Sequence, residues 1–418
     1  MTAEPHLRDG IAAGSHATVD PERRFPLWPL LATLAVQTLA TAAAYSIPAV
    51  APEVARHLAI PPAWVGFFIS MVYGVGIISA LLSPRMIHDH GAVRVSQGVL
   101  VATLAMLAVA AVGNVPAVAL GAALMGLAYG ATAPASTHML VPLTPPSQMN
   151  MVLSLRQIGV PLGGVLAGLL MPPLTLIFGW RTSLLVELVP VCLLLVLLQI
   201  VRPRWDRPAQ ERTPAPATRF EPFRLMREDP ALRRLSTAVF VYSGLQLCFI
   251  VFMTTQLTTV VGLDLVTAGR MLATYQVAGV ISRPIWGWIA DRFLAARWLL
   301  VVQSAIMCAA AMLAGHFTSG TPILLVLLVA VTGGATASGY TGIAYGEFAR
   351  LGGAKRTEAT GLGAAAMFAG VLVLPSLMSL AVLNLGGYRI AYTSIGLLAL
   401  AAGGLLALPA PQRREPVA

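Results

Sequence analysis

Apolar runs of roughly 18–25 residues recur along nearly the whole chain, each long enough to cross the ~30 Å hydrocarbon core of a bilayer as a helix. Lipid offers no hydrogen-bond partner to an open sheet edge, so such runs must close their backbone bonds within themselves as helices. The composition agrees. Of 418 residues, 57% are hydrophobic and only 11% charged, whereas soluble domains are about a quarter charged. Twelve spans are predicted, at 27–50, 64–87, 95–112, 115–141, 151–178, 182–201, 235–261, 267–290, 298–316, 322–345, 358–383 and 390–408. The expected fold class is an all-α membrane protein with twelve transmembrane helices.

The net charge of +10 resides mostly in arginines outside the apolar runs. Arg85 and Arg94 follow span two, Arg292 and Arg297 follow span eight, and Arg350, Lys355 and Arg356 follow span ten. Nine more arginines lie between Arg202 and Arg234. Fewer stand on the other side, at Arg56, Arg181, Arg270 and Arg389. The bias predicts a multi-pass protein of a bacterial-style inner membrane with both termini cytoplasmic. It needs no nucleic-acid partner. Residues 1–26 carry Arg8, Arg23 and Arg24 without an apolar h-region, so a cytoplasmic tail is expected there and not a cleaved signal peptide. Cys192, Cys248 and Cys308 fall within apolar runs and read as small core residues, with neither disulfide nor metal-ligand spacing.

The polar, proline-containing stretch 202–234 is the one clear linker, and it divides a six-span bundle at 27–201 from a second at 235–408, with a short tail at 409–418. Internal echoes support the division. Gly130-Ala-Thr-Ala133 in span four recurs as Gly334-Ala-Thr-Ala337 in span ten. Gly179-Trp-Arg181 before span six recurs as Gly387-Tyr-Arg389 before span twelve, and Arg94 corresponds to Arg297. A shared offset points to duplicated halves.

Two intramembrane cations constrain function. Arg283 lies inside span eight, about eight residues or ~12 Å of helix from the charged turn at its end. An ionised side chain at that depth is unfavourable by a few kcal/mol unless it faces protein or a water-filled cavity. It therefore marks a ligand pathway or a buried structural pair. Arg156, in Leu155-Arg-Gln-Ile-Gly159 of span five, lies at comparable depth beside Gln157. Its structural reading is a residue snorkelling to the interface, or a partner of Glu347 or of a helix C-terminus.

Two related six-helix halves joined by a polar loop resemble the major facilitator superfamily. Gly287-Trp-Ile-Ala-Asp291-Arg292, followed by Arg297, is similar to that superfamily's loop signature. The resemblance implies that the glycine lets helices approach and that the aspartate caps the next helix and holds arginines across the bundle interface. In the first half Gly91 and Arg94 persist, but His88 stands at the aspartate position, with Asp89 beside it. Ile281-Ser-Arg-Pro-Ile-Trp-Gly287 resembles span eight of the monocarboxylate-transporter family, whose arginine engages the substrate carboxylate. Ala44-Tyr-Ser-Ile-Pro48 resembles that family's opening helix. Where members of that family carry a lysine and an aspartate, this chain has Ala49 and Gly279. A cyanate- or nitrate-permease-like branch is a further resemblance, though nitrate porters use an arginine where span two has Ala80.

The superfamily plan brings spans five and eight together beside a central cavity, where Arg156 and Arg283 would form an anion site. Tyr45, Gln246 and Tyr340 are the preferred polar neighbours, with Gln157 beside Arg156; Glu187 and His138 are ionisable groups of open role. No nucleophile elbow, phosphate loop or metal spacing is present, so neither an enzyme nor a cofactor is expected. The expected function is secondary transport of a small organic anion, a mono- or dicarboxylate, with protons as coupling ion, lipid as surroundings and a monomer as the unit. The alternatives are efflux of amphipathic drugs or metabolites, and a sensor built on a transporter-like body.

Overall fold

The computed structural model describes residues 25–145, 149–205 and 221–409. The first half consists of α1 (Leu27–Ala49), a short α2 (Ala51–Leu58), α3 (Val65–His90), α4 (Ala92–Ala110), α5 (Val115–Leu140), α6 (Met149–Gln157), α7 (Gly159–Phe178) and α8 (Trp180–Trp205). A linker helix α9 (Glu221–Glu228) follows. The second half consists of α10 (Pro230–Gln256), α11 (Leu265–Arg292), α12 (Ala296–Gly315), α13 (Ile323–Gly333), α14 (Thr341–Gly352), α15 (Arg356–Asn384) and α16 (Tyr388–Ala407). Among the described residues eleven helical stretches are long and apolar enough to cross a bilayer by themselves. The twelfth span is α11, which carries Arg270 and Arg283 and is held in the bundle by its neighbours.

Local chemistry sets the helix ends. Asn114, Asp229 and Asp264 cap α5, α10 and α11, each side chain accepting a backbone N–H of the first turn at 2.8–2.9 Å. The echoed glycines have a structural cause. Gly179 and Gly387 precede α8 and α16 with φ of +78° and +77°, a region open to glycine and costly for other residues.

Several boundaries differ from the sequence expectation. Helix α8 runs on to Trp205 and α10 begins at Pro230, so the linker is shorter than 202–234 and contains α9. Residues 206–220 of that linker, most of the expected 1–26 tail and all but Pro409 of the 409–418 tail lie outside the described residues. Span five is broken at Ile158 between α6 and α7. Pro161 explains the position, because a proline withholds its N–H from the carbonyl four residues earlier and its ring crowds that carbonyl. Span ten is interrupted by a π-helical turn at Gly334–Ser338, whereas its first-half echo at Gly130 stays within the regular α5. Cys248 and Cys308 are buried as expected, but Cys192 is exposed on α8. Large apolar side chains face outward on the same helix (Val189 is 69% exposed), as a lipid-facing surface requires.

The two halves use the same packing plan. In the first, α1 packs on α7, α3 on α5, and α4 on α8; in the second, α10 packs on α15, α11 on the α13 segment, and α12 on α16. The halves then exchange contacts, α7 against α11 and α3 against α15. Six spans per half place the linker, the start of α1 and the end of α16 on one face. The tightest contacts between halves lie toward the opposite, far face. Gly168 meets Gly269 and Ala273 backbone to backbone, Gly66 sits directly against Pro375, Ser379 and Phe252, and the Ser379 hydroxyl donates to the Ala63 carbonyl at 2.7 Å. On the linker side Gly287, Gly342, Gly346 and Gly361 meet open space where a side chain would begin. The close contacts between the halves are therefore concentrated toward the far face.

The α11 cap is testable. The Thr267 hydroxyl, and then its backbone N–H, hold the Asp264 carboxyl below the usual carboxylate range. A depressed folded value contributes stability above the unfolded pKa and loses it as pH falls. Asp264→Ala should therefore cost about 1 kcal/mol at neutral pH, and the cost should shrink as pH falls below about 3.9 toward the depressed folded value, read as thermal unfolding in detergent.

Candidate functional site

Arg156 occupies the last turn of α6, just before the break that Pro161 imposes, a position where a helix C-terminus favours a cation. It is 3% exposed. One terminal nitrogen donates to Gln37 Oε1 at 2.6 Å and the other to Gln157 Oε1 at 3.2 Å, while its buried Nε has no partner. Gln37 in turn donates to Thr41 at 3.0 Å, and Thr41 to the Tyr129 hydroxyl at 3.4 Å. The reading of Arg156 as a partner of Glu347 does not hold, because both Glu347 oxygens are taken by Nε and one terminal nitrogen of Arg350 on its own helix, at 2.8 and 2.5 Å. Nor does it snorkel outward.

Arg283 is half-buried on α11 and faces the interior. Its Nε donates to the Ser338 carbonyl at 3.3 Å, at the end of the π-helical turn. That turn withholds carbonyls from regular helix bonding and offers them sideways; Trp286 Nε1 takes the Ala335 carbonyl at 2.6 Å. Among the described residues the two terminal nitrogens of Arg283 have no protein partner, and no carboxylate lies within ion-pair distance of either Arg283 or Arg156. The charge of Arg283 acts instead on the hydroxyls of Tyr340, Tyr275 and Tyr45.

Tyrosines join the halves. Arg156, from the first half, faces Tyr129 of its own half and Tyr345 of the other. Arg283, from the second, faces Tyr275 and Tyr340 of its own half and Tyr45 of the other. The hydroxyls of Tyr45, Tyr73 and Tyr129 form one interacting cluster, with the rings of Tyr73 and Tyr129 edge to face at 5.3 Å. The result is a lining of cations and hydroxyls, rich in hydrogen-bond donors.

Of the residues expected from sequence, Arg283, Tyr45, Tyr340 and Gln246 converge at the π-helical turn. Gln246 donates to the Ser338 hydroxyl at 3.3 Å, and its carbonyl accepts from Tyr275 at 3.4 Å. The Tyr340 hydroxyl is buried without a well-formed hydrogen bond, although Ser243, which donates to the carbonyls of Phe240 or Met367, lies beside it. Gln157 is exposed and serves as an acceptor for Arg156. His138 is exposed near the end of α5 and is not brought to the site. Tyr73, Tyr275 and Tyr345 were not singled out from the sequence, because apolar runs hide which way a tyrosine faces. Gly279 lies so close to Ser338 that an added Cβ would meet it at 2.6–2.7 Å. No acidic side chain fits there.

Two stretches of the chain, residues 33–345 and 235–418, match the sequence pattern of the Major Facilitator Superfamily. The chain belongs to that superfamily. Solved structures agree on the fold. A bacterial homologue of the human lysosomal transporter Spinster, inward-facing and unoccupied, superposes with a TM-score of 0.70 at 16% identity over 93% of this chain and 95% of that one. A D-xylose–proton symporter gives 0.73 at 14% identity, over 92% and 97%. The peptide transporter POT in complex with sulfate gives 0.72 at 15% identity, over 91% and 93%. Among curated proteins none matches the chain in sequence. As a member of the Major Facilitator Superfamily the protein is a multi-pass transporter working by alternating access, and not an enzyme.

The superfamily's loop signature takes a form here that the sequence did not foretell. Gly287 meets open space and not a neighbouring helix. Asp291 is exposed and does not cap α12, whose N-cap Ala295 has no side-chain hydrogen bond; Arg292 is exposed too. Arg297 donates to the Ala407 and Leu408 carbonyls at 2.8 and 2.9 Å, closing the C-terminus of α16 within its own half. In the first half Gly91 makes the turn between α3 and α4 with φ +96°, and Arg94 bonds Gln97 at 3.1 Å. Thus Arg94 and Arg297 each bond within one half.

Trp286 ties the π-helical turn to α11. Trp286→Phe should lower stability by about 1 kcal/mol, the net contribution of one hydrogen bond, in a thermal unfolding curve of the purified protein.

Proposed function

We propose that the protein is a secondary active transporter of a small organic anion, a mono- or dicarboxylate, in a bacterial-type inner membrane, with both termini cytoplasmic and proton-coupled movement. The observation that carries this reading is the free terminal edge of Arg283, oriented by a bond from Nε to Ser338 and ringed by hydroxyls. A guanidinium in a low-dielectric interior calls for an anion, and two parallel N–H groups match the two oxygens of a carboxylate. Arg156 supplies a second cation from the opposite half, with its own unpartnered Nε. An anion bridging them would draw the halves together on the linker side, and that is the movement alternating access requires. Efflux of cationic drugs would need a buried counter-charge here, and among the described residues no carboxylate lies within ion-pair distance of either arginine.

The test is uptake of labelled organic acids into proteoliposomes. Arg283→Ala and Arg283→Lys should each reduce uptake by about a hundredfold with normal membrane insertion, since two charge-assisted bonds at ~1.5–3 kcal/mol each are lost or misdirected. Normal uptake by the lysine variant contradicts bidentate capture. An alkaline external pH should slow uptake by the unmodified protein.

A further inference from the structure

Glu187 belongs to no part of the site described above, yet it sits in the membrane-spanning portion of α8, about two turns inside its start. It lies on the packed stripe of that helix, between buried Leu184 and Val191, and its carboxyl meets the Ser46 hydroxyl of α1 at 2.5 Å. The Ser46 oxygen is also 2.8 Å from the Ala42 carbonyl. Among the described residues the carboxyl has one hydroxyl as its hydrogen-bond partner, and an ionised carboxyl with so few donors is unfavourable in a membrane-spanning helix, which favours the protonated acid.

The surroundings offer no cation to replace that proton. The helices packed on α8 are α1, α4 and α7. Helix α7 has no titratable side chain, α1 has only Tyr45, and α4 has only Arg94, at the opposite end and bonded to Gln97. On α8 itself Cys192 is exposed, Arg181 donates to the Ala111 carbonyl at 2.7 Å, and Arg202 and Arg204 lie at the other end. His57 of α2 stacks edge-on against Trp180 at 5.7 Å, at the far face. Among the described residues none of these forms an ion pair with Glu187.

The partner of Glu187 is also linked to the anion site. Ser46 follows Tyr45, whose hydroxyl belongs to the cluster beside Arg283. Pro48 stands two residues on and cannot donate an N–H to the Ala44 carbonyl, so this turn of α1 lacks a rung and is the part of the helix best able to bend.

We propose that Glu187 carries the coupling proton of this transporter, releasing it to water when the end of α1 moves and the Ser46 contact opens. The proposal rests on the proton-coupled transport reading above. The carboxyl gains a proton from water on one side and returns it to water on the other; no other group changes.

The experiment uses full-length protein in proteoliposomes with a labelled carboxylate. E187Q preserves the shape and hydrogen bonding of the protonated acid. It should retain counterflow exchange, while accumulation driven by an imposed pH gradient, and the accompanying signal of a trapped pH dye, fall at least about tenfold, equivalent to ~1.4 kcal/mol. Gradient-driven accumulation by E187Q overturns the proposal, as does net wild-type uptake without proton movement. Loss of counterflow in E187Q also overturns it and assigns the residue to packing. Should the wild type exchange no carboxylate, the substrate reading fails separately, and infrared spectroscopy still decides on Glu187. A protonated carboxyl band at neutral pH, absent from E187Q, supports the proposal, and its absence from the wild type overturns it.

Discussion

A guanidinium inside a bilayer-spanning bundle stays charged, and the protein around it must supply hydrogen-bond acceptors or leave room for a guest. At Arg283 the chain supplies one acceptor, the Ser338 carbonyl, and that acceptor exists because the backbone of span ten leaves the α-helical pattern at Gly334–Ser338. The same π-helical turn seats Trp286 and places the Ser338 hydroxyl against Gln246. It also crowds Gly279 so closely that no side chain can stand there. One departure from regular helix thus orients the cation, excludes an acidic neighbour and leaves its terminal edge open.

The first half answers with different means. Its echo of the π-helical segment remains regular helix, packed against Gly76 through Gly130. Its cation comes instead from a break in span five, where Pro161 interrupts the backbone and Arg156 closes the preceding turn. Duplicated halves have therefore kept a packing plan and diverged in chemistry. Glycines divide the labour along span five: Gly159 and Gly163 let α1 approach, while Gly164 and Gly168 receive α11 from the other half. The contact most directly tied to relative movement of the halves is a meeting of backbones with no side chains to unlock.

The spans, the duplication and both intramembrane arginines were legible in the sequence, because long apolar runs and the charges that interrupt them are one-dimensional signals. The tyrosines were not. Tyr73, Tyr275 and Tyr345 sit in apolar stretches where burial against a neighbour and exposure to a cavity look alike. The loop signature was legible as a motif and misleading as geometry. Arg297 spends its hydrogen bonds on the end of α16, and Asp291 stays in the open. Glu187 was legible as an ionisable group of open role, but its place along the chain gave no reason to join it to Ser46.

The sequence by itself determined that this chain crosses a membrane as a duplicated helical bundle, since lipid leaves such apolar runs no other way to satisfy their backbone. It also determined that two cations must lie within that bundle. Tertiary structure alone decided that no carboxylate among the described residues pairs with these cations, that tyrosines from both halves converge on them, and that the close contacts between halves concentrate toward the far face. Those outcomes depend on which faces of rotated, kinked helices meet, and small changes of helix phase at Pro161 and at Gly334–Ser338 set that meeting.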